Sequence, residues 1–175
     1  VVRSTMEPLI KQLATEFGGK TLVSEEVPRI PYQEAMDRYG SDKPDLRFKM
    51  ELTDLSDELR GTEFGVFKNT LENGGVVKAI CVPGGASLSR KQIDGFTDIA
   101  KREGAGGLAY IKYEEGEAVS PIAKFMTSEE LDAIRIKLGA NDGDAIFFGT
   151  DSRTTVNKVL GRLRSEFADH FGLKD

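Results

Sequence analysis

The sequence holds one cysteine, Cys81, one histidine, His170, and no tryptophan. A single thiol forbids an internal disulfide, and one Cys with one His cannot supply a zinc finger or a multi-histidine metal centre. There is no long uncharged apolar run and no low-complexity tract, which argues against a membrane-spanning or disordered chain. No targeting pattern precedes the first helix signal, and no nucleophile elbow, Walker loop or paired-carboxylate signature stands out. The chain opens Val1-Val2-Arg3 without an initiator methionine, so it is expected to be cut from something larger. What is there is 175 residues, 39% hydrophobic and 30% charged, with 24 Lys+Arg against 29 Asp+Glu and a net charge of -5. Those figures describe a soluble globular protein of one domain, or one domain with an appendage, whose acidic balance limits nonspecific RNA binding.

Residues 1–60 read as short pieces on long connections. Val2, Met6, Leu9, Leu13 and Phe17 make an amphipathic stripe closed by Gly18-Gly19; Pro8 favours a start at Ser4, with Glu7 completing a capping box. A helix started upstream is the rival. Tyr32, Met36 and Tyr39 fit two helical turns ended by Gly40. Gly40-Ser41-Asp42-Lys43-Pro44-Asp45 is a loop, and Thr53 or Asp54 is expected to cap a short helix to about Arg60. These pieces have too few apolar positions for a core of their own and are expected to lean on other chain.

From Glu63 onward the pattern is regular. Residues 64–71 and 76–82 read as strands joined by a Glu72-Asn73-Gly74-Gly75 hairpin. Ser89 with Gln92 caps a helix stopped at Gly104, residues 108–113 form a strand, and Thr127 with Glu130 caps a helix closed by Gly139. Residues 144–149 form a further strand, and Ser152 opens a last helix carrying Val156, Leu160, Leu163, Phe167 and Phe171, stopped by Gly172. The expected fold is α+β: an antiparallel sheet with helices on one face, a ββα-ββα-like two-layer domain with an extra helix.

Most candidate chemistry has a structural explanation. Gly104-Ala105-Gly106-Gly107 leaves a helix and enters a strand, the reverse of a phosphate loop, so it reads as a helix stop. Asn141-Asp142-Gly143-Asp144 lacks the spacing of a calcium loop and reads as a tight turn. His170 reads as a rim residue at a helix C-terminus, and Cys81 as a buried thiol. Two stretches stand apart. Residues 82–91, VPGGASLSRK, run from strand to helix with Arg90 and Lys91 at the helix start, where free N–H groups would welcome an anion, although a loop that merely reverses the chain with both cations solvated is the favoured reading of the residues alone. The loop bearing Asp42, Lys43, Asp45 and Arg47 suits docking to a partner or neighbouring domain.

At these stretches YQEAMDRYGSDKPDLR, residues 32–47, and VPGGASLSRKQID, residues 82–94, closely resemble bacterial-type aspartyl-tRNA synthetases, as do GLAYIK at 107–112, SPIAKF at 120–125 and DGDAIFFG at 142–149. The first follows motif 2 of those enzymes. The second is the signature of their insertion domain, the GAD domain, shared with tRNA-dependent amidotransferase subunits. The resemblance implies a partial class II catalytic segment at 1–60 and the GAD insertion domain at 61–175. It implies a cytoplasmic, homodimeric parent that uses ATP and Mg²⁺ to activate aspartate and then charges aspartate tRNA. Motifs 1, 2 and 3 have no match here, so no catalytic or aspartate-binding residue of the family falls on this sequence, and no cofactor or metal is expected on this segment. The insertion would contact tRNA through Arg90, Lys91, Arg153 and Arg162, or support the active site without touching RNA. The rest of the catalytic domain would be the partner of the Asp42 to Arg47 loop. The alternatives are the GAD module of an amidotransferase subunit, which should lack the residue 42–47 segment, and a small-ligand binding module.

Overall fold

The computed structural model describes residues 2–19, 21–22 and 24–174. The chain divides into two compact units, Val1–Pro31 and Tyr32–Asp175. The first contains helix α1 (Val2–Gln12), followed by a π-helical turn, Leu13–Phe17, that Gly18 closes by donating to the Leu13 carbonyl at 2.9 Å. The helix runs through Pro8 rather than starting at Ser4. Proline removes one N–H, so the helix passes this point without the bond to the Ser4 carbonyl. None of its apolar stripe is buried.

The second unit is built on five antiparallel strands in the order β1-β2-β5-β3-β4. They are β1 (Thr53–Asp54), β2 (Val76–Val82), β3 (Ala109–Glu114), β4 (Glu117–Val119) and β5 (Ala145–Asp151). The helices are α2 (Tyr32–Tyr39), α3 (Gly65–Glu72), α4 (Arg90–Arg102), α5 (Ser128–Leu138) and α6 (Arg153–His170). Both capping boxes form, at Ser89 with Gln92 and at Thr127 with Glu130, and Gly139 ends α5 at φ 62°. Each satisfies backbone groups that a helix end leaves open.

The antiparallel α+β fold stands, but the helices do not keep to one face. Strand alternation sends Ile80, Val82 and Phe147 toward α4 and α6, where Phe96, Leu163 and Phe167 complete one core. It sends Val77, Ala79, Ile146 and Phe148 to the other face, where Phe67 of α3 and Ile134 of α5 complete a second. Apart from Lys78, the buried residues of β2 and β5 are apolar on both sides, as a sheet covered on both faces requires.

The second helical layer comes from a misread run. Residues 64–71 are not a strand: α3 places Phe64, Phe67 and Leu71 on one helical face, all within the second core. Burying Phe67 completely is worth about 2 kcal/mol, more than the strand preference of the run's phenylalanines and Val66. Asn73-Gly74 serves as the helix stop instead of a hairpin, with Gly74 at φ 76° and its N–H on the Leu71 carbonyl. Thr53 and Asp54 likewise open no helix. They pair with Ala79 and Lys78 as an edge strand, and turns carry the chain on to Arg60. Strand β4, unforeseen, follows a two-residue turn with Glu115 at φ 53° and Gly116 at φ 86°.

Residues 32–60 do lean on other chain. Phe48, Met50 and Leu52 join the α4/α6 core, and Leu55 and Leu59 join the α3/α5 core. The break in packing falls between Pro31 and Tyr32.

Candidate functional site

The residue 82–91 loop leaves β2 at Val82 and passes through a short 3-10 turn, Gly85–Ser87, into α4. Several of its backbone N–H groups are engaged within the protein. Gly84 donates to Asp144 Oδ1 at 3.0 Å, Ala86 to the Gly143 carbonyl at 2.9 Å, and Ser89 to Gln92 Oε1 at 2.8 Å. Asp144 and the capping box thus take donors that an anion would otherwise use, as a loop that reverses the chain would have it. Lys112, half-buried on β3, donates to the Ala86 and Leu88 carbonyls at 2.7 Å each and fixes the loop from below. Arg90 and Lys91 stand exposed on the first turn of α4 with no acidic residue beside them in that turn. They make no ion pair among the described residues. Two cations at a helix N-terminus oppose the macrodipole, so nothing in the helix itself favours them there.

The other two basic candidates lie elsewhere. Gln92 sits 3.4 Å from His170, while Lys158 pairs with Glu103, so α4 and α6 run antiparallel. Arg153, at the start of α6, is thus about 25 Å from the Arg90 end of α4, nearly the full 18-residue length of α6 at 1.5 Å per residue. It is also occupied, pairing with Asp37 at 3.1 Å and Asp54 at 3.0 Å. Arg162 pairs with Glu166 one turn along the exposed face of α6. The four do not make one patch.

The Asp42 to Arg47 loop begins where α2 ends, at Gly40 with φ 68°. Asp42 and Lys43 are exposed at its tip. Asp45 and Arg47 pair with each other at 2.7 Å, and the guanidinium holds the Asp45 carboxyl down at about 2. Arg47 also donates to the Lys174 carbonyl.

Two buried cations hold this segment, and sequence reading missed both. Lys78, 1% exposed in β2, donates to the Asp37 carbonyl at 3.0 Å, to Asp37 Oδ1 at 3.2 Å and to Asn157 Oδ1 at 2.8 Å. Burial pulls the Lys78 pKa down, and Asp37 partly opposes it. Burial would raise Asp37, but hydrogen bonds from Gln33, Asn157, Arg153 and Lys78 outweigh it and hold the carboxyl well below the usual range. Arg164, 4% exposed in α6, donates to the carbonyls of Asp45 at 2.8 Å, Phe48 at 2.9 Å, Lys49 at 3.0 Å and Met50 at 3.0 Å. Its guanidinium carbon lies 4.2 Å from the Phe48 ring centroid and 5.0 Å from that of Tyr39. The available signal was a lone charge inside an apolar pattern: Lys78 in VVKAICV, and Arg164 next to Leu163 on the buried stripe.

The remaining candidates are structural. Gly104, at φ 110°, stops α4, and Asn141 to Asp144 form a turn closed by Asn141 N–H on Asp144 Oδ2 at 2.9 Å. His170 ends α6 edge-on to Phe96 and Phe171. Cys81 is partly buried, and burial together with the Asp144 charge pushes its thiol up to about 12. Among the described residues no three His, Cys, Asp or Glu side chains gather as a metal site.

Residues 67–160 match the GAD domain, more than half of the chain, and the chain belongs to the GAD domain family. Its relatives are bacterial aspartate–tRNA ligases. It is 48% identical over 168 residues, 96% of the chain, to the aspartate–tRNA(Asp/Asn) ligase of Natranaerobius thermophilus. It is 51% identical over 84% of the chain to that of Caldanaerobacter subterraneus, and 48% identical over 85% to the aspartate–tRNA ligase of Halalkalibacterium halodurans. The chain spans 28%, 25% and 25% of these relatives' lengths respectively. No helix among the described residues is long and apolar enough to cross a membrane.

Proposed function

We propose that this chain is a segment of a bacterial-type aspartate–tRNA ligase, a cytoplasmic homodimer that activates aspartate with ATP and Mg²⁺ and transfers it to tRNA. The carrying observation is 48% identity running over 96% of the chain, well outside the family match at 67–160. The match reaches residues 32–47, the stretch expected to be missing from amidotransferase subunits. In this reading residues 1–60 belong to the catalytic domain and 61–175 are the insertion domain. The chain supplies no group that reacts. Extending the native reading frame tests the identity: flanking class II motifs support it, and their absence refutes it. The isolated chain is expected to show no aspartate-dependent ATP–pyrophosphate exchange.

Within that ligase, Arg90 and Lys91 are the cations proposed to approach the tRNA backbone, presented unpaired on a loop fixed by Lys112 and Asp144. Arg162 is a lesser contributor, because an exposed pair with Glu166 yields readily. Arg153 is committed to Asp37 and Asp54. Asp42 and Lys43 are proposed to face the remaining catalytic domain. Replacing Arg90 and Lys91 with alanine in the full-length ligase should weaken tRNA binding and reduce its salt dependence by about one to two in log–log slope. An unchanged slope would leave the module with a purely supporting role.

A further inference from the structure

We propose that residues 32–52 form a fixed arm mounted on α6, with Arg164 as its positioning residue. The arm and the GAD domain then move as one body, and the exposed tip at Asp42 and Lys43 is aimed by the domain rather than by loop flexibility. The use made of that tip rests on the ligase reading above; the mounting itself does not.

Three tethers converge on the arm. The Arg164 guanidinium makes no ion pair among the described residues, and its donors go to the carbonyls of Asp45, Phe48, Lys49 and Met50. A buried cation without a directly paired carboxylate is tolerated only where neutral acceptors saturate it. The bent path of residues 45–50 is therefore Arg164's counterpart as much as Arg164 is its anchor. Met50 sits at φ 62°, a conformation costly for a residue with a side chain, and its carbonyl is the one that Arg164 Nε holds. Upstream, Gly40 lies backbone against backbone on Gly161 of α6, where a Cβ on Gly161 would fall 2.5 Å from the Gly40 oxygen. Further upstream, Lys78 and Asn157 grip Asp37. The arm is also braced internally: Arg38 pairs with Glu51 through two bonds, and Leu52 N–H reaches the Arg38 carbonyl at 2.7 Å. A segment held at its start, middle and end by one helix and one strand has no hinge of its own.

Trypsin provides a built-in probe. Arg47 and Lys49 are exposed, but each precedes a buried residue, Phe48 or Met50, so cutting after either requires the arm to lift. Limited proteolysis of this chain, read by mass spectrometry beside amide exchange of β2 and β5, distinguishes the arm from the core. Wild type should resist cutting after Arg47 and Lys49. Arg164→Met should speed both cuts at least tenfold while β2 and β5 exchange stays unchanged, and Arg164→Lys should give partial rescue. Gly161→Ala, which crowds the arm's seat, should speed the same cuts and decides the matter if Arg164→Met does not fold. The proposal is overturned if wild type is cut there as fast as at Lys11, if Arg164→Lys rescues nothing, or if arm and β2/β5 protection fall together in Gly161→Ala. Because the readouts use this chain alone, a failure of the ligase reading leaves them untouched.

Discussion

Asp37 Oδ1 lies 3.2 Å from the ammonium of Lys78, a lysine that is 1% exposed in β2, an inner strand of the five-stranded sheet. The pair joins α2 to β2, and the two partners are unequally placed. Asp37 is about one-third exposed and also receives Gln33, Asn157 and Arg153, whereas among the described residues Lys78 forms an ion pair with Asp37 alone, Asp54 acting on it only from farther away. Removing the carboxylate strands a buried charge; removing the lysine does not. Asp37→Ala should therefore cost about 3 kcal/mol and Lys78→Met about 1 kcal/mol or less, as read by urea denaturation of both variants beside wild type.

The same carboxylate sets an acid limit. Asp37, Asp45, Glu51 and Asp54 all have lowered pKa values in the folded chain. A group whose folded pKa is depressed contributes stability that is present above its unfolded pKa and lost as pH falls through the folded value. The melting temperature should thus hold down to about pH 4 and fall steeply from there toward pH 2, the Asp45 contribution disappearing near about 2. Asp37→Asn should flatten that limb in a melting series from pH 6 to pH 2. An unchanged slope would mean the carboxylate is equally acidic in the unfolded chain.

Helices α2, α4, α5 and α6 and the strands β2, β3 and β5 were legible because their signals are local: capping residues, helix-stopping glycines and unbroken apolar runs. Helix α3 was not, because FGVFKNTL satisfies an apolar strand as well as a helical face, and Asn-Gly accommodates positive φ in a hairpin and at a helix end alike. Only the second core, waiting on the far side of the sheet for Phe67, separates the two. The basic candidates show the same limit. Arg90 and Lys91 were visible as cations at a helix start, but that Arg153 is occupied by Asp37, 116 residues away in sequence, is a tertiary fact. Lys78 and Arg164 were hidden because a charge within an apolar pattern does not disclose its partners.

Two glycines should respond oppositely to alanine. On Gly149 of β5 a Cβ would lie 3.1 Å from side-chain carbons of both Leu160 and Val156 of α6, so these tightly packed side chains would have to give by a few tenths of an ångström. Gly95 is inside α4 with nothing within 4 Å of such a Cβ. Gly149→Ala should destabilise by about 1–3 kcal/mol through overpacking, and Gly95→Ala should stabilise by about 0.5–1 kcal/mol through helix propensity and a less free unfolded chain. Thermal denaturation of the two single variants, monitored by circular dichroism, checks the opposite signs.

Cys81 reports on the opening of the sheet edge. Its thiol is pushed up to about 12, first by burial and then by the Asp144 carboxylate, whose Oδ2 lies 4.0 Å from the sulfur. An ordinary cysteine has a pKa of about 8.5 and is partly thiolate at pH 8, whereas the folded Cys81 is almost wholly protonated there. Labelling by a disulfide reagent at pH 8 should be slower than that of the urea-unfolded chain by at least 100-fold. Removing the charge with Asp144→Asn should raise the native labelling rate, and by more than loss of the Gly84 contact alone would do. Asp144→Ala supplies that comparison, since it abolishes the contacts to Gly84 and Asn141 as well as the charge. If the asparagine variant labels no faster than wild type, burial alone governs the thiol.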